Sequence, residues 1–176
     1  GQGYIQTTPI QLCLMTAQIA NGGHKIYPKI IDNEETKNHA SDKFEPLYKD
    51  YKNIKIIQDA MFSSTNEVMG TSYRSRIKDP KYQFAGKTGT AQVKRITEKD
   101  RILDLKTFEI PYEERDHALY IAFGPYKNPR YAVSILVEHG GNGSTTAAPM
   151  AKKLFKLIID RHSLRESLGN KKYLEI

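Results

Sequence analysis

Residues 84–93 read Phe-Ala-Gly-Lys-Thr-Gly-Thr-Ala-Gln-Val, and Lys87, Thr88, Gly89 and Thr90 put a fixed cation, two hydroxyls and a bare backbone position side by side. A phosphate-cradling loop uses Gly-Lys-Thr, but it also needs a glycine five positions before that glycine, so that backbone can wrap the phosphates. Lys81 holds that place, Pro80 precedes it, and Gly89 to Val93 is a better strand than helix start. On the edge strand of a serine acyl-transferase the same residues have separate tasks. Lys87 supplies a positive charge that attracts an anion and biases proton transfer, while Thr88 and Thr90 offer hydroxyl donors to a carboxylate. Gly89 lets an acyl-D-amino acid peptide lie close to the strand and pair with its backbone. The backbone N–H of Thr90 would supply half of an oxyanion hole. A bare Lys-Thr-Gly arises by chance in a chain this long at roughly a few per cent, so the flanking sequence has to decide.

The elements that must hold this strand can be read from periodicity and punctuation. Thr8, Pro9 and Gln11 form a capping box with proline in the first turn, and Ile10, Cys13, Leu14, Ala17 and Ala20 or Asn21 follow as a core-facing stripe up to Gly22-Gly23. Residues 32–52 are charged and aperiodic, which predicts an exposed connection. A second amphipathic helix is predicted from Asn53 to near Gly70, carrying Ile54, Ile57, Met61 or Phe62, and Val68. After the extended 84–93 segment, Lys94 to Asp116 is a heavily charged insertion, open between a lid beside a cleft and a solvated loop. Two apolar runs, HALYIAFGP and YAVSILVEHG, are joined by a turn and predict a β-hairpin covered on both faces. The glycine loop GGNGST reads as a tight strand-to-helix turn, with anion binding at a helix N-terminus as the other reading. Behind it, Ala147, Ala151, Leu154, Phe155 and Ile158 mark a last helix. This order predicts an α+β fold, an antiparallel sheet flanked by helices.

Bulk properties narrow the function. With 176 residues and 39% apolar composition the chain fits one domain or a piece of one, and no apolar run reaches the roughly 20 residues that span a bilayer. The +7 net charge favours acidic partners, yet 27 Lys and Arg are mixed with 20 Asp and Glu and show no nucleic-acid-binding signature. The single Cys13 excludes an intrachain disulfide and a cysteine-rich metal site, and the five histidines are not at ligand spacings, so no metal is expected. A start at Gly1, without a basic leader or cleavage site, suggests a processed product or a fragment.

GQGYIQTTPIQL, ANGG, AMFSSTNEVMGTS, AGKTGTAQV, HALYIAFGP and VEHGGNGSTTAAPMAKKL together resemble class B penicillin-binding proteins, in that family's order, and within them the elongation-specific subgroup. The resemblance covers about 1–31 and 54–160, so the chain divides into a first helical segment (1–31), a helix and Lys-Thr-Gly strand (54–93), the insertion (94–116), and a hairpin with the last helix (117–162). It implies part of a serine β-lactamase/D,D-transpeptidase-like fold lacking its N-terminal strands and nucleophile helix. It also implies that the parent protein cross-links peptidoglycan stem peptides through a serine acyl-enzyme, is acylated by β-lactams, and uses no cofactor. Lys87, Thr88, Gly89 and Thr90 would then be the catalytic wall, with Thr88, Thr90 and Gln92 as substrate contacts; Gln92 is equally readable as a plain polar strand residue. The parent would sit at the periplasmic face of the bacterial inner membrane, on an N-terminal helix outside this chain, among the membrane proteins of the elongation complex.

The family's serine with a lysine three residues on, and its Ser-x-Asn, precede the Gly-Gln-Gly region where this chain begins. Ser75 with Lys78 and Ser64 with Asn66 imitate those patterns in reversed order, and a polar loop and a helix surface explain them better. The chain alone is therefore expected to be inactive. Missing sheet strands would leave Tyr131 to Glu138 as an open edge through which copies could pair. The alternative is a non-catalytic interaction domain that binds cell wall or partner proteins through its basic surface.

Overall fold

The computed structural model describes residues 5–28, 30, 45–94 and 105–168. Helix α1 (Pro9–Ala20) starts on the expected capping box: the Thr8 hydroxyl accepts from the Gln11 N–H while the Gln11 side chain accepts from the Thr8 N–H at 2.8 Å. It stops where Gly22 and Gly23 turn to φ of +92° and +87°, a region open to glycine. The predicted stripe is only half right. Thr16 is the fully buried residue of the helix, its hydroxyl returned to the Leu12 carbonyl, whereas Ile10 is 56% exposed.

Residues 45–47 are not a free connection, because Lys25 donates to the Glu45 carbonyl and Leu47 to that of Gly23. The remainder of 32–52 up to residue 44 lies outside the described residues. Helix α2 spans Tyr51–Asn66 rather than 53 to 70. Asp50 caps it by accepting from Lys52 N–H, so it begins early. At its polar end Thr65 and Asn66 donate to carbonyls beyond the helix, those of Gly86 and Phe84, while Ser63 bonds the Glu67 carboxylate and Ser64 the Thr71 hydroxyl. Val68 therefore lies past the helix and is 74% exposed.

Strands β1 (Ala85–Ala91), β2 (His117–Gly124) and β3 (Tyr131–Val137) form an antiparallel sheet in that order, with Thr88 opposite Tyr120 and Thr90 opposite Ala118. β2 and β3 are the predicted hairpin, and both their faces are covered. On one side Ala118, Tyr120, Ala122 and Val133 pack with Phe84 under Ala147, Ala151, Phe155 and Ile159 of the C-terminal region. On the other, Ala85 and Phe123 meet Met61 of α2 and Ile19 and Ala20 of α1. The C-terminal region is a π-helical turn, Gly143–Ala147, that runs into α3 (Ala148–Leu168). Among the described residues no helix is long and apolar enough to cross a membrane.

Candidate functional site

β1 is held from behind by three buried hydroxyls. Tyr120, wholly buried, meets Thr65 at 2.9 Å and Ser72 at 3.0 Å, and Thr65 donates to the Gly86 carbonyl. Burial pushes the Tyr120 phenol above its ordinary range, so it stays a neutral hydrogen-bonding group. Gly86 has to be glycine here: a Cβ would lie 2.4 Å from the Tyr120 hydroxyl oxygen. The buried network thus fixes the strand at the residue before Lys87.

In front of the strand is a cavity of about 580 Å³. Lys87, Thr88, Gly89 and Thr90 form one wall, so the structure brings these four predicted site residues together. Lys87 is exposed, and its ammonium donates to the Thr88 carbonyl at 2.9 Å and approaches the Thr88 hydroxyl at 3.3 Å. Gln92, just beyond the end of β1, is half-buried and is not on the cavity wall.

The opposite wall is Asn142, Gly143 and Ser144, which the sequence reading treated as a turn. The loop is a strand-to-helix turn, but it is also folded against β1. A Cβ on Gly143 would meet the carbonyl oxygens of Leu119 at 2.4 Å and Gly89 at 2.6 Å, so the two backbones touch. Asn142 caps the following turn through its side-chain oxygen, which accepts from both the N–H and the hydroxyl of Ser144. Thr71, in the segment after α2, completes the lining and stands 3.3 Å from the Thr88 hydroxyl.

The loop is pinned at its other end by residues that sequence reasoning passed over. The Asp116 carbonyl accepts from Gly141 N–H at 2.8 Å while its carboxylate accepts from Val93 N–H at 3.2 Å, tying the loop to the end of β1. His117 Nδ1 accepts from the N–H of His139, which sits at φ +53°. Gly141 packs on Thr107, so the 105–116 end of the insertion lies against the loop; residues 95–104 lie outside the described residues. An Asp-His pair directly before an apolar strand was the available signal for this clamp.

Ser75 is 3% exposed in a short turn while Lys78 is exposed, so the pair presents no shared reactive face. Asn66 is committed to backbone carbonyls, and neither it nor Ser75 lines the cavity. Ser64 lies closer, one hydrogen bond behind Thr71.

The cavity lining therefore carries one cation, a set of hydroxyls and an amide, and no carboxylate. That composition suits an anionic ligand group held by a charge and by hydroxyl donors. Among the described residues no group of three or more His, Cys, Asp and Glu is placed to hold a metal ion.

The family described as Penicillin binding protein transpeptidase domain matches residues 1–156. The peptidoglycan D,D-transpeptidase MrdA of Salmonella typhimurium is 33% identical over 172 residues, covering 91% of this chain and 26% of that protein. Penicillin-binding protein PBP2 of Helicobacter pylori, solved in complex with MreC, aligns with a TM-score of 0.63 and 30% identity over 97% of this chain and 26% of that one. An acyl-enzyme complex of penicillin-binding protein A from Mycobacterium tuberculosis aligns with a TM-score of 0.61 and 25% identity, over 89% of this chain and 33% of that one. The chain thus spans about a quarter of the length of the curated relatives it matches.

Proposed function

Because the chain belongs to the penicillin-binding protein transpeptidase family, we propose that it forms one side of the active site of a peptidoglycan D,D-transpeptidase. In the longer protein a serine from upstream attacks the D-Ala-D-Ala amide of a stem peptide. The terminal D-Ala leaves with a proton, and an amine of a neighbouring strand then takes the acyl group from the serine. Splitting the exchange into two acyl transfers lowers each barrier. Lys87 attracts the terminal carboxylate, Thr88 and Thr90 donate hydroxyls to it, and the Thr90 N–H supports the oxyanion. Gly89 lets the peptide backbone lie along β1. β-Lactams, which carry a carboxylate beside a strained amide, acylate the same serine.

The observation that carries this reading is the wall itself: Lys87, Thr88 and Thr90 face one cavity whose lining has no carboxylate to compete for the cation. The PBP2 relative found with MreC supports an assembly partner of the same kind, and the family's cell-wall substrate supports a periplasmic, membrane-anchored parent. Among the described residues no strand lies beyond β3, which adds a further proposal, that isolated copies of this chain self-associate through that strand.

Fluorescent penicillin followed by denaturing electrophoresis tests the reading. The longer protein takes up a covalent label and the chain alone takes up none. A label on the chain alone that disappears in Ser75→Ala would overturn the assignment of the nucleophile to an upstream segment.

A further inference from the structure

A line of hydroxyls leads from α2 to the cavity. Ser64 Oγ lies 3.2 Å from Thr71 Oγ1, and Thr71 Oγ1 lies 3.3 Å from Thr88 Oγ1. Each hydroxyl has one proton to donate. At the inner end of the line, Lys87 approaches Thr88 Oγ1 at 3.3 Å and can only donate, since an ammonium has no lone pair. One arrangement then leaves the Thr88 proton free for a ligand: Ser64 donates to Thr71, and Thr71 donates to Thr88. The reverse order points the Thr88 proton away from the cavity, towards Thr71.

The backbone around Thr71 is built to hold this line in place. Gly70 is pressed against α2, where a Cβ would lie 2.3 Å from the Ser64 carbonyl oxygen. Ser72 donates its N–H to the same carbonyl at 3.0 Å, and its hydroxyl joins the buried pair Thr65 and Tyr120. Thr71, between these two clamped residues, is exposed and lines the cavity.

Resting on the transpeptidase reading, we propose that Thr71 is a positioning residue for substrate-carboxylate recognition. It accepts from Ser64 and donates to Thr88, so that the Thr88 hydroxyl turns its own proton onto the carboxylate. A bound anion selects this order because the other order offers it a lone pair. Ser64, which with Asn66 imitates the family's Ser-x-Asn in the sequence, is the far end of the line and takes no part in bond making.

The test uses the longer protein that includes the upstream serine, and reads the second-order rate of acylation by fluorescent penicillin. Thr71→Val, which keeps shape and removes the hydroxyl, slows acylation about tenfold, as expected for one charge-assisted hydrogen bond weakened. Thr71→Ser restores the rate to near wild type, and Thr71→Val has no further effect once Thr88 is valine, because coupled residues are not additive. Wild-type rates in Thr71→Val, equal slowing by serine and valine, or an effect that multiplies with Thr88→Val each overturn the proposal alone. A wild-type protein that takes up no label overturns the transpeptidase reading and this proposal with it.

Discussion

Single residues decide whether the two walls of the cavity meet. Gly143 lies against two backbone carbonyls that have no flexible end to move aside, so a methyl group there must lift the loop from β1. Gly143→Ala is expected to lower the melting temperature by an amount equivalent to about 1–3 kcal/mol, measured by thermal denaturation. An unchanged melting temperature would show that the contact is dispensable. The types and spacing of Lys87 through Thr90 marked them in the sequence as candidates, because their chemistry is local, and the structure sets all four on one cavity wall. Asn142 to Ser144 were not readable in the same way: a glycine-rich turn before a helix looks the same whether or not it touches a distant strand. Thr71 lies in the family-like stretch AMFSSTNEVMGTS, yet no role for it was readable there, since that role depends on two clamped neighbours and on a hydroxyl from another element.

The elements follow the sequence where their punctuation is local and depart from it where tertiary contacts compete. The capping box of α1 and the β2–β3 hairpin are as expected. The boundaries of α2 are not, because Asp50 caps before the apolar pattern begins and the helix closes at Asn66, whose side-chain amide bonds the Phe84 carbonyl. The last helix shows the expected stripe, extended by the buried Ile159. Its central anchor is Phe155, stacked on Phe84 with ring centroids 4.9 Å apart and completely buried. Phe84 directly precedes β1, so α3 braces the strand that carries the site. Phe155→Ala is expected to cost about 3–5 kcal/mol of stability in denaturant unfolding. A loss below about 1 kcal/mol would mean that α3 does not brace the sheet.

At the scale of the molecule, helices cover both faces of the sheet, while its two edges differ. β1 faces the cavity, and β3 has no strand beyond it among the described residues. Leu136 on β3 is 38% exposed, so that strand leaves an apolar side chain open, although Cys13 of α1 donates to its Ala132 carbonyl at 3.4 Å. Sedimentation of the chain alone at tens of micromolar is expected to show a concentration-dependent dimer, and a single monomeric species at every concentration would remove the edge-pairing proposal. Fold class and the order of elements among the described residues were readable because they rest on pattern, whereas the pairing of loop and strand across the cavity rests on contacts between segments far apart in sequence.

The claim on which everything else depends is that Lys87 belongs to an anion-binding active-site wall. Its most direct measurement is the second-order rate of penicillin acylation of the longer protein in Lys87→Gln, with Lys81→Gln as the control. Lys81 has the same charge but pairs with Asp160 on α3, outside the cavity. Losing a preorganised charge at a reacting centre costs about 100-fold, so Lys87→Gln is expected to fall by about that factor while Lys81→Gln stays within about twofold of wild type. Equal rates in the two variants would contradict the account.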